Sequence, residues 1–98
     1  MFAGVLEIDL LFGDVHSLKE KRSLVRPIIA EVRRKFEVSV AETGHLDVHR
    51  RALVGVAVVG STAAHCVEVL DGCERLVASR PEVEVLSTRQ RLFGEQDE

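Results

Sequence analysis

The stretch FAGVLEIDLLF, Phe2–Phe12, alternates with a period of two residues. Apart from one glycine, its even-numbered positions are large and apolar, whereas its odd-numbered positions include Glu7 and Asp9. Because successive side chains of a strand point to opposite faces, this stretch predicts a strand with one buried and one mixed face. A second stretch, ALVGVAVVG at Ala52–Gly60, is almost wholly apolar and predicts another strand, covered on at least one face.

Two helical patterns lie between the strands. Ser17 and Glu20 have the spacing of a capping box, so the first helix should begin there, and Pro27 predicts a kink or a distinct first turn. Ser61 is the expected cap of the second helix, which Pro81 should end. The apolar residues of both patterns recur at helical spacing. They are Leu18, Val25, Ile28, Ile29, Val32 and Phe36 in the first helix, and Ala63, Cys66, Val67, Leu70, Cys73 and Val77 in the second.

Shorter alternating stretches complete the fold. Glu37–Thr43 predicts an edge strand, residues 44–50 a loop or hairpin connection, and residues 82–93 a last strand. This order predicts an α+β fold, the ferredoxin-like βαββαβ sandwich, in which a four-stranded antiparallel sheet carries two helices on one face. The first and third strands are the most apolar and should lie at its centre. We expect a single domain over residues 1–93 and a frayed tail over residues 94–98.

The last strand departs from simple alternation. Its segment LSTRQR, residues 86–91, places polar residues at both parities. We therefore expect either a bulge near Ser87, or Arg89 and Arg91 leaning over the edge of the sheet.

The charges are uneven along the chain. The formal net charge is −3, but residues 1–51 carry nine Lys and Arg against eight Asp and Glu, whereas residues 52–98 carry four against eight. A site for a polyanion should therefore lie in the first half of the chain.

The N-terminal segment and the cysteines bear on the compartment. The first residues show no basic n-region and place acids within the apolar run, which predicts neither a signal peptide nor a membrane span. The expected location is the cytoplasm, without a membrane partner. Cys66 and Cys73 should lie about 10 Å apart along a helix, too far for a disulfide, and are expected to be small core residues.

Five motifs occur in order along the chain. They are HSLKEKR at residues 16–22, FEVSVAE at 36–42, the H-x-D pair His45 and Asp47, RALVGVAVV at 51–59 and RPEVEVL at 80–86. Together they resemble the YlxP-like family of small bacterial proteins of unknown function, over nearly the entire chain. The resemblance implies the ferredoxin-like fold and a gene often found among genes for transcription and translation factors, but no reaction. The family often has Trp where this chain has His49, so a stacking role for this loop does not carry over.

A basic cluster opens the first helix. Cations near a helix N-terminus forgo up to about 1 kcal/mol of favourable dipole interaction, which raises the question of what they do there. On a helical wheel Lys19, Arg22, Arg26 and Arg33 lie within about 60° of one another. Either their stems cover the core edge with the charges in water, or the cluster binds an anion, for which RNA phosphate is the best candidate. The predicted nucleic-acid-binding residues are Lys19, Lys21, Arg22, Arg26 and Arg33, with Arg50 and Arg51 from the loop.

The open face of the predicted sheet is a second candidate. RNA-recognition domains of this topology stack bases on aromatic residues of that face. Here the third strand has no aromatic residue and the first offers Glu7 and Asp9, so base readout is not expected. The apolar residues around the acids predict a protein contact, such as a homodimer, or a solvated face with scattered apolar residues. The predicted interface residues are Val5, Leu11, Leu53 and Leu86.

No motif points to catalysis or to a cofactor. His45, Asp47 and His49 could contribute to a metal site, but the two histidines would need a helix to share a face, so a polar turn is expected. The acylphosphatases of this fold need an Arg just after the first strand and an Asn, yet FGDVHS has no Arg and the chain has no Asn. We predict no enzyme, no catalytic residue, no metal, no cofactor and no small-molecule substrate.

Three hypotheses about function remain. The leading one is a domain that binds structured RNA or the ribosome through its first helix. The rival is a homo-oligomerising regulatory or scaffold module that pairs through the open sheet face, without nucleic-acid binding. The third is a small-ligand sensor at a dimer cleft.

Overall fold

A computed structural model describes residues 1–95, and these form six elements in the predicted order. The elements are β1 (Phe2–Phe12), α1 (Leu18–Lys35), β2 (Ser39–Gly44), β3 (Arg51–Gly60), α2 (Ala63–Ala78) and β4 (Val83–Gly94). They build a four-stranded antiparallel sheet of order β2-β3-β1-β4, which is the ferredoxin-like α+β fold. The two most apolar strands, β1 and β3, lie at the centre and β2 lies at an edge, as predicted. Within the predicted tail, Gly94 belongs to β4, and residues 96–98 lie outside the described residues.

The core lies between one face of the sheet and the two helices. The even-numbered residues of β1 and β3 that point to the helices are buried, and both cysteines lie there as free thiols. Fully burying a valine, leucine or isoleucine side chain stabilises a protein by about 1.5–3 kcal/mol. The buried apolar residues of the helices are Val25, Ile28 and Val32 in α1 and Cys66, Leu70, Cys73 and Val77 in α2. Within residues 1–95, no helix is long and apolar enough to cross a membrane.

The helix ends follow from their capping residues. Ser17 caps α1, because its hydroxyl accepts a hydrogen bond from the backbone N–H of Glu20 at 3.1 Å. The second helix is capped by Thr62, not by Ser61 as predicted: Thr62 Oγ1 accepts from the N–H of His65 at 3.1 Å. Two adjacent hydroxyl residues are equally suited to capping, so the pattern alone could not choose between them. Pro27 lies inside α1, which continues through it as a single helix.

A bulge interrupts the pairing of β4 with β1. Leu10 pairs with Val85 and Asp9 pairs with Ser87, which leaves Leu86 as the extra residue. The bulge predicted near Ser87 is therefore confirmed. It shifts the parity of β4, so that Arg89 and Arg91, opposite Glu7 and Val5, face the open side of the sheet.

Candidate nucleic-acid interface

Lys21 is buried, although it was predicted to be an exposed phosphate ligand. Its exposed fraction is 0%, and it shares the buried side of α1 with Val25, Ile28 and Val32. Its ammonium Nζ donates hydrogen bonds to the carbonyl oxygens of His45 at 2.8 Å and Arg51 at 3.1 Å, with a longer contact of 3.5 Å to that of Leu46. The assignment of Lys21 to RNA binding is therefore wrong, because its charge is enclosed by backbone.

The carboxylate of Glu42 balances this buried charge. Its Oε2 lies 2.9 Å from Lys21 Nζ, and 15% of the Glu42 side chain is exposed. Oε2 nevertheless accepts no well-aligned hydrogen bond within the described residues, since the ammonium protons are directed to the carbonyl oxygens. The pair is held by charge and proximity, and removing either partner would leave a poorly compensated buried charge.

This contact fixes the β2–β3 loop, residues 45–50, against the start of α1. His45 begins the loop with a φ of 57°, a left-handed conformation that costs energy for a non-glycine residue. The His45 carbonyl is also the nearest acceptor of the Lys21 ammonium, so the buried lysine holds the strained turn in place. The loop consequently lies beside the first turn of α1.

Three cations of the predicted stripe remain exposed and uncommitted. Lys19, Arg22 and Arg26 are exposed, and within residues 1–95 none of their side chains takes part in a hydrogen bond or an ion pair. Their spacing of three and four residues places them on one side of the helix, about 4.5 and 6 Å apart along its axis. We call these three residues the basic stripe.

The other predicted cations are engaged within the chain. Arg33 remains exposed as a residue, but its Nη2 donates to the carbonyl of Val40 at 2.9 Å. Arg50 Nε donates to the carbonyls of Phe12 and Gly13, at 3.1 and 2.7 Å.

Arg51 lies on the open face, where it binds the carboxylate of Asp9. Its Nε and Nη2 donate to the two oxygens of Asp9, at 3.2 and 2.6 Å. His45 Nε2 lies 3.7 Å from the same carboxylate. Arg51 is thus committed to holding the end of β3 and the loop against β1, and it is a weaker candidate for phosphate than the basic stripe.

Side chains already engage part of the N-terminus of α1. Ser17 accepts from the N–H of Glu20, and Glu20 Oε2 accepts from the N–H of His16 at 3.3 Å. These acceptors and the carboxylate charge partly satisfy the positive end of the helix dipole. An anion near the stripe would therefore depend mainly on the side chains of the stripe.

The predicted interface residues all lie on the open face of the sheet. Val5, Leu11 and Leu53 are half-buried there, and Leu86, the extra residue of the bulge, is 43% exposed. Between β1, β2 and β3 a shallow hollow of about 380 Å³ is lined mostly by small and apolar residues, including Val5 and Leu53, with Glu7 as its one charged residue.

The loop of His45, Asp47 and His49 forms a turn, as expected from its polar residues. The Val48 N–H donates to the His45 carbonyl at 3.0 Å, which closes the turn. Leu46 and Val48 are 53% and 43% exposed. Within residues 1–95, no three His, Cys, Asp or Glu side chains are grouped as metal ligands would be.

The thiols are poorly placed for nucleophilic chemistry. Both cysteines are buried, and desolvation raises the pKa of Cys73 from 9.0 to about 11. Because the thiolate is the reactive form, Cys73 is held in its inert state at neutral pH.

The fold and the exposed cations together define a small ferredoxin-like protein with a basic helix. Residues 3–90 match the family described as a protein of unknown function, DUF503, and the chain belongs to this family. It is also 34% identical over 90 residues to the uncharacterized protein YlxP of Bacillus subtilis strain 168, an alignment that covers 92% of this chain and 98% of that protein. The resemblance drawn from the motifs is confirmed.

Sequence reasoning missed Glu42 and the burial of Lys21. A signal for Lys21 was present: it precedes Val25 by four residues and Ile28 by seven, which places it on the apolar side of the helix. No such signal marks Glu42 as its partner, because the alignment of β2 with α1 is set by the tertiary fold.

Proposed function

We propose that this protein is a non-enzymatic domain that binds structured RNA or a ribonucleoprotein through the basic stripe of α1. The observation that carries the proposal is the exposure of Lys19, Arg22 and Arg26 on one helix side, where their side chains have no partner within residues 1–95. Every other cation of the predicted set is buried or bound to the chain's own oxygens. A row of unpaired cations suits binding to a phosphate backbone, because each cation that neutralises a phosphate releases counterions.

The β2–β3 loop supports the same proposal. Lys21 holds this loop beside the first turn of α1, so residues 45–50 lie at the same end of the helix as Lys19 and Arg22. Helix phosphate contacts would position the RNA, and the loop with His49 would border it. The structured part of an RNA suits such a surface better than unpaired bases, since neither the stripe nor the loop offers a Phe, Tyr or Trp ring for stacking.

The test is RNA binding by matched charge variants. The probes are purified ribosomal RNA and purified ribosomal subunits, at one low salt concentration. The variant Lys19→Gln/Arg22→Gln/Arg26→Gln should bind at least about tenfold more weakly than the wild type, because three phosphate contacts are lost.

The control removes the same charge elsewhere. Arg34→Gln/Lys35→Gln/Arg75→Gln changes three exposed cations that lie outside the stripe, and it leaves β4 unaltered. It should retain nearly all the affinity. Equal loss in both variants, or no binding by the wild type, would contradict the proposal.

A second candidate function is self-association through the open face. The hollow beside Val5 and Leu53 favours it, since this part of the face carries few charges. Leu53→Glu would then abolish an oligomer seen by light scattering, with no effect on RNA binding.

A further inference from the structure

The two edges of the sheet differ in how far they are protected. The β2 edge is six residues long, and the Arg33 guanidinium already occupies the Val40 carbonyl. The β4 edge is twelve residues long, and from Glu84 to Gly94 it makes no hydrogen bond within residues 1–95 other than those of its ladder with β1. An edge of this kind presents a row of free N–H and C=O groups to another strand.

The charges along β4, together with Glu82 just before it, are arranged in two groups of opposite sign. Glu82 and Glu84 precede the bulge, whereas Arg89 and Arg91 follow it. Glu84, Arg89 and Arg91 each pair with a residue of β1 that lies on the open face, so these three side chains share that face. Glu82 precedes Glu84 by two residues and has the same parity. Within residues 1–95 none of the four takes part in an ion pair.

We propose that β4 pairs antiparallel with β4 of a second copy, which joins the two sheets into one. An antiparallel pairing about a two-fold axis is defined by its midpoint. Opposing Arg89 to the partner's Glu84 and Arg91 to the partner's Glu82 requires the same midpoint, between Leu86 and Ser87. One register therefore satisfies both contacts, and the symmetry repeats each of them.

On either side of the bulge residues Leu86 and Ser87, which lie at the midpoint, this register is also compatible with pairing. Thr88 lies opposite the partner's Val85 on the helix side of the sheet, and no like charges are opposed. Cross-strand pairs of opposite charge favour one register, while the backbone ladder supplies the hydrogen bonds. The charge pattern is thus self-complementary, which is the reason to assign this edge to a second copy of the chain.

The dimer is independent of RNA binding. The basic stripe lies on the side of α1 toward β2, where Arg33 contacts Val40, at the opposite edge of the sheet from β4. Pairing through β4 would leave both stripes exposed, and loss of the dimer would leave each stripe intact.

The test is a charge-swap cycle, followed by sedimentation equilibrium over a wide concentration range. The wild type should dimerise, and Arg89→Glu should raise the dissociation constant by about tenfold or more, because two attractive contacts per dimer become repulsive. Arg89→Glu/Glu84→Arg should restore the wild-type constant. Arg75→Glu, an equal charge change on α2, should leave it unaltered, and circular dichroism verifies that each variant is folded.

Cross-linking tests the register directly. Ser87→Cys lies next to the midpoint and should give a disulfide-linked dimer on mild oxidation, whereas Ser39→Cys on the β2 edge should not. The native thiols Cys66 and Cys73 are buried and do not compete. The proposal is overturned if the wild type is monomeric at every concentration, or if Arg89→Glu dimerises like the wild type. It is equally overturned if Leu53→Glu, on the open face, abolishes the dimer while Arg89→Glu does not.

Discussion

Replacing Lys21 with methionine removes a buried charge and keeps most of the packing. Methionine is unbranched and of similar length, so the packing of the stem on the buried side of α1 is retained. What is lost is the ammonium, with its hydrogen bonds to the carbonyls of His45 and Arg51 at 2.8 and 3.1 Å and its 2.9 Å contact with Glu42.

The expected loss of stability is large. Removing one member of a buried ion pair costs about 3–5 kcal/mol, because the other charge remains uncompensated. Glu42 keeps 15% of its side-chain exposure and can gain some hydration, which places the expected loss near the lower end, about 3 kcal/mol. A domain of this size has a free energy of unfolding of about 5–15 kcal/mol, so the variant should be markedly less stable yet folded.

The assay is equilibrium unfolding in urea, monitored by circular dichroism. Lys19→Met is the matched control: it is two positions away, exposed and unpaired within residues 1–95, and should change the free energy of unfolding by no more than about 0.5 kcal/mol. The double variant Lys21→Met/Glu42→Gln also removes the uncompensated carboxylate charge. Its free energy of unfolding should therefore be about 1 kcal/mol or more above that of Lys21→Met. The reasoning is refuted if Lys21→Met lies within about 1 kcal/mol of the wild type, or if Lys19→Met is equally destabilised.

Two further predictions concern the core. Gly4→Ala should destabilise the protein by about 1–3 kcal/mol in the same assay, because a Cβ there would lie 2.8 Å from Leu70 Cδ1 and 3.2 Å from Leu92 Cδ2. An unchanged free energy of unfolding would contradict this prediction. The raised pKa of Cys73 means that the folded state holds its thiol proton more tightly than the unfolded state. This contribution to stability is present below pH 9 and is lost as the pH rises toward about 11. Unfolding measured across that range should show the decline in the wild type and a shallower one in Cys73→Ala, and parallel curves would contradict the assignment.

Much of the fold follows from patterns that are local in sequence. The alternation of Phe2–Phe12 and the valines of β3 reflect burial on one sheet face, and the order of elements leaves few topologies open. The bulge was visible as a break in parity near Ser87. These features depend on neighbours a few residues apart, which is why the sequence is sufficient for them.

The candidate surface depends on contacts between distant residues. The residue type of Lys21 suggested exposure, and only the position of Glu42 and of the loop carbonyls explains how a charge is accommodated inside. In the same way, Arg51 is a weaker candidate for phosphate because it binds Asp9, forty-two positions earlier in the chain. Sequence spacing could group the cations on one helix, but it could not tell which of them the folded chain neutralises.

The most direct test of the proposed function is the salt dependence of ribosomal RNA binding. For the wild type, log K should fall linearly with log salt, and the slope should flatten by about three units in Lys19→Gln/Arg22→Gln/Arg26→Gln, close to one for each lost phosphate contact. Lys21→Met, whose charge is buried, should keep the wild-type slope. A triple variant with the wild-type slope, or a slope that changes on loss of Lys21 instead, would contradict the assignment of RNA binding to the basic stripe.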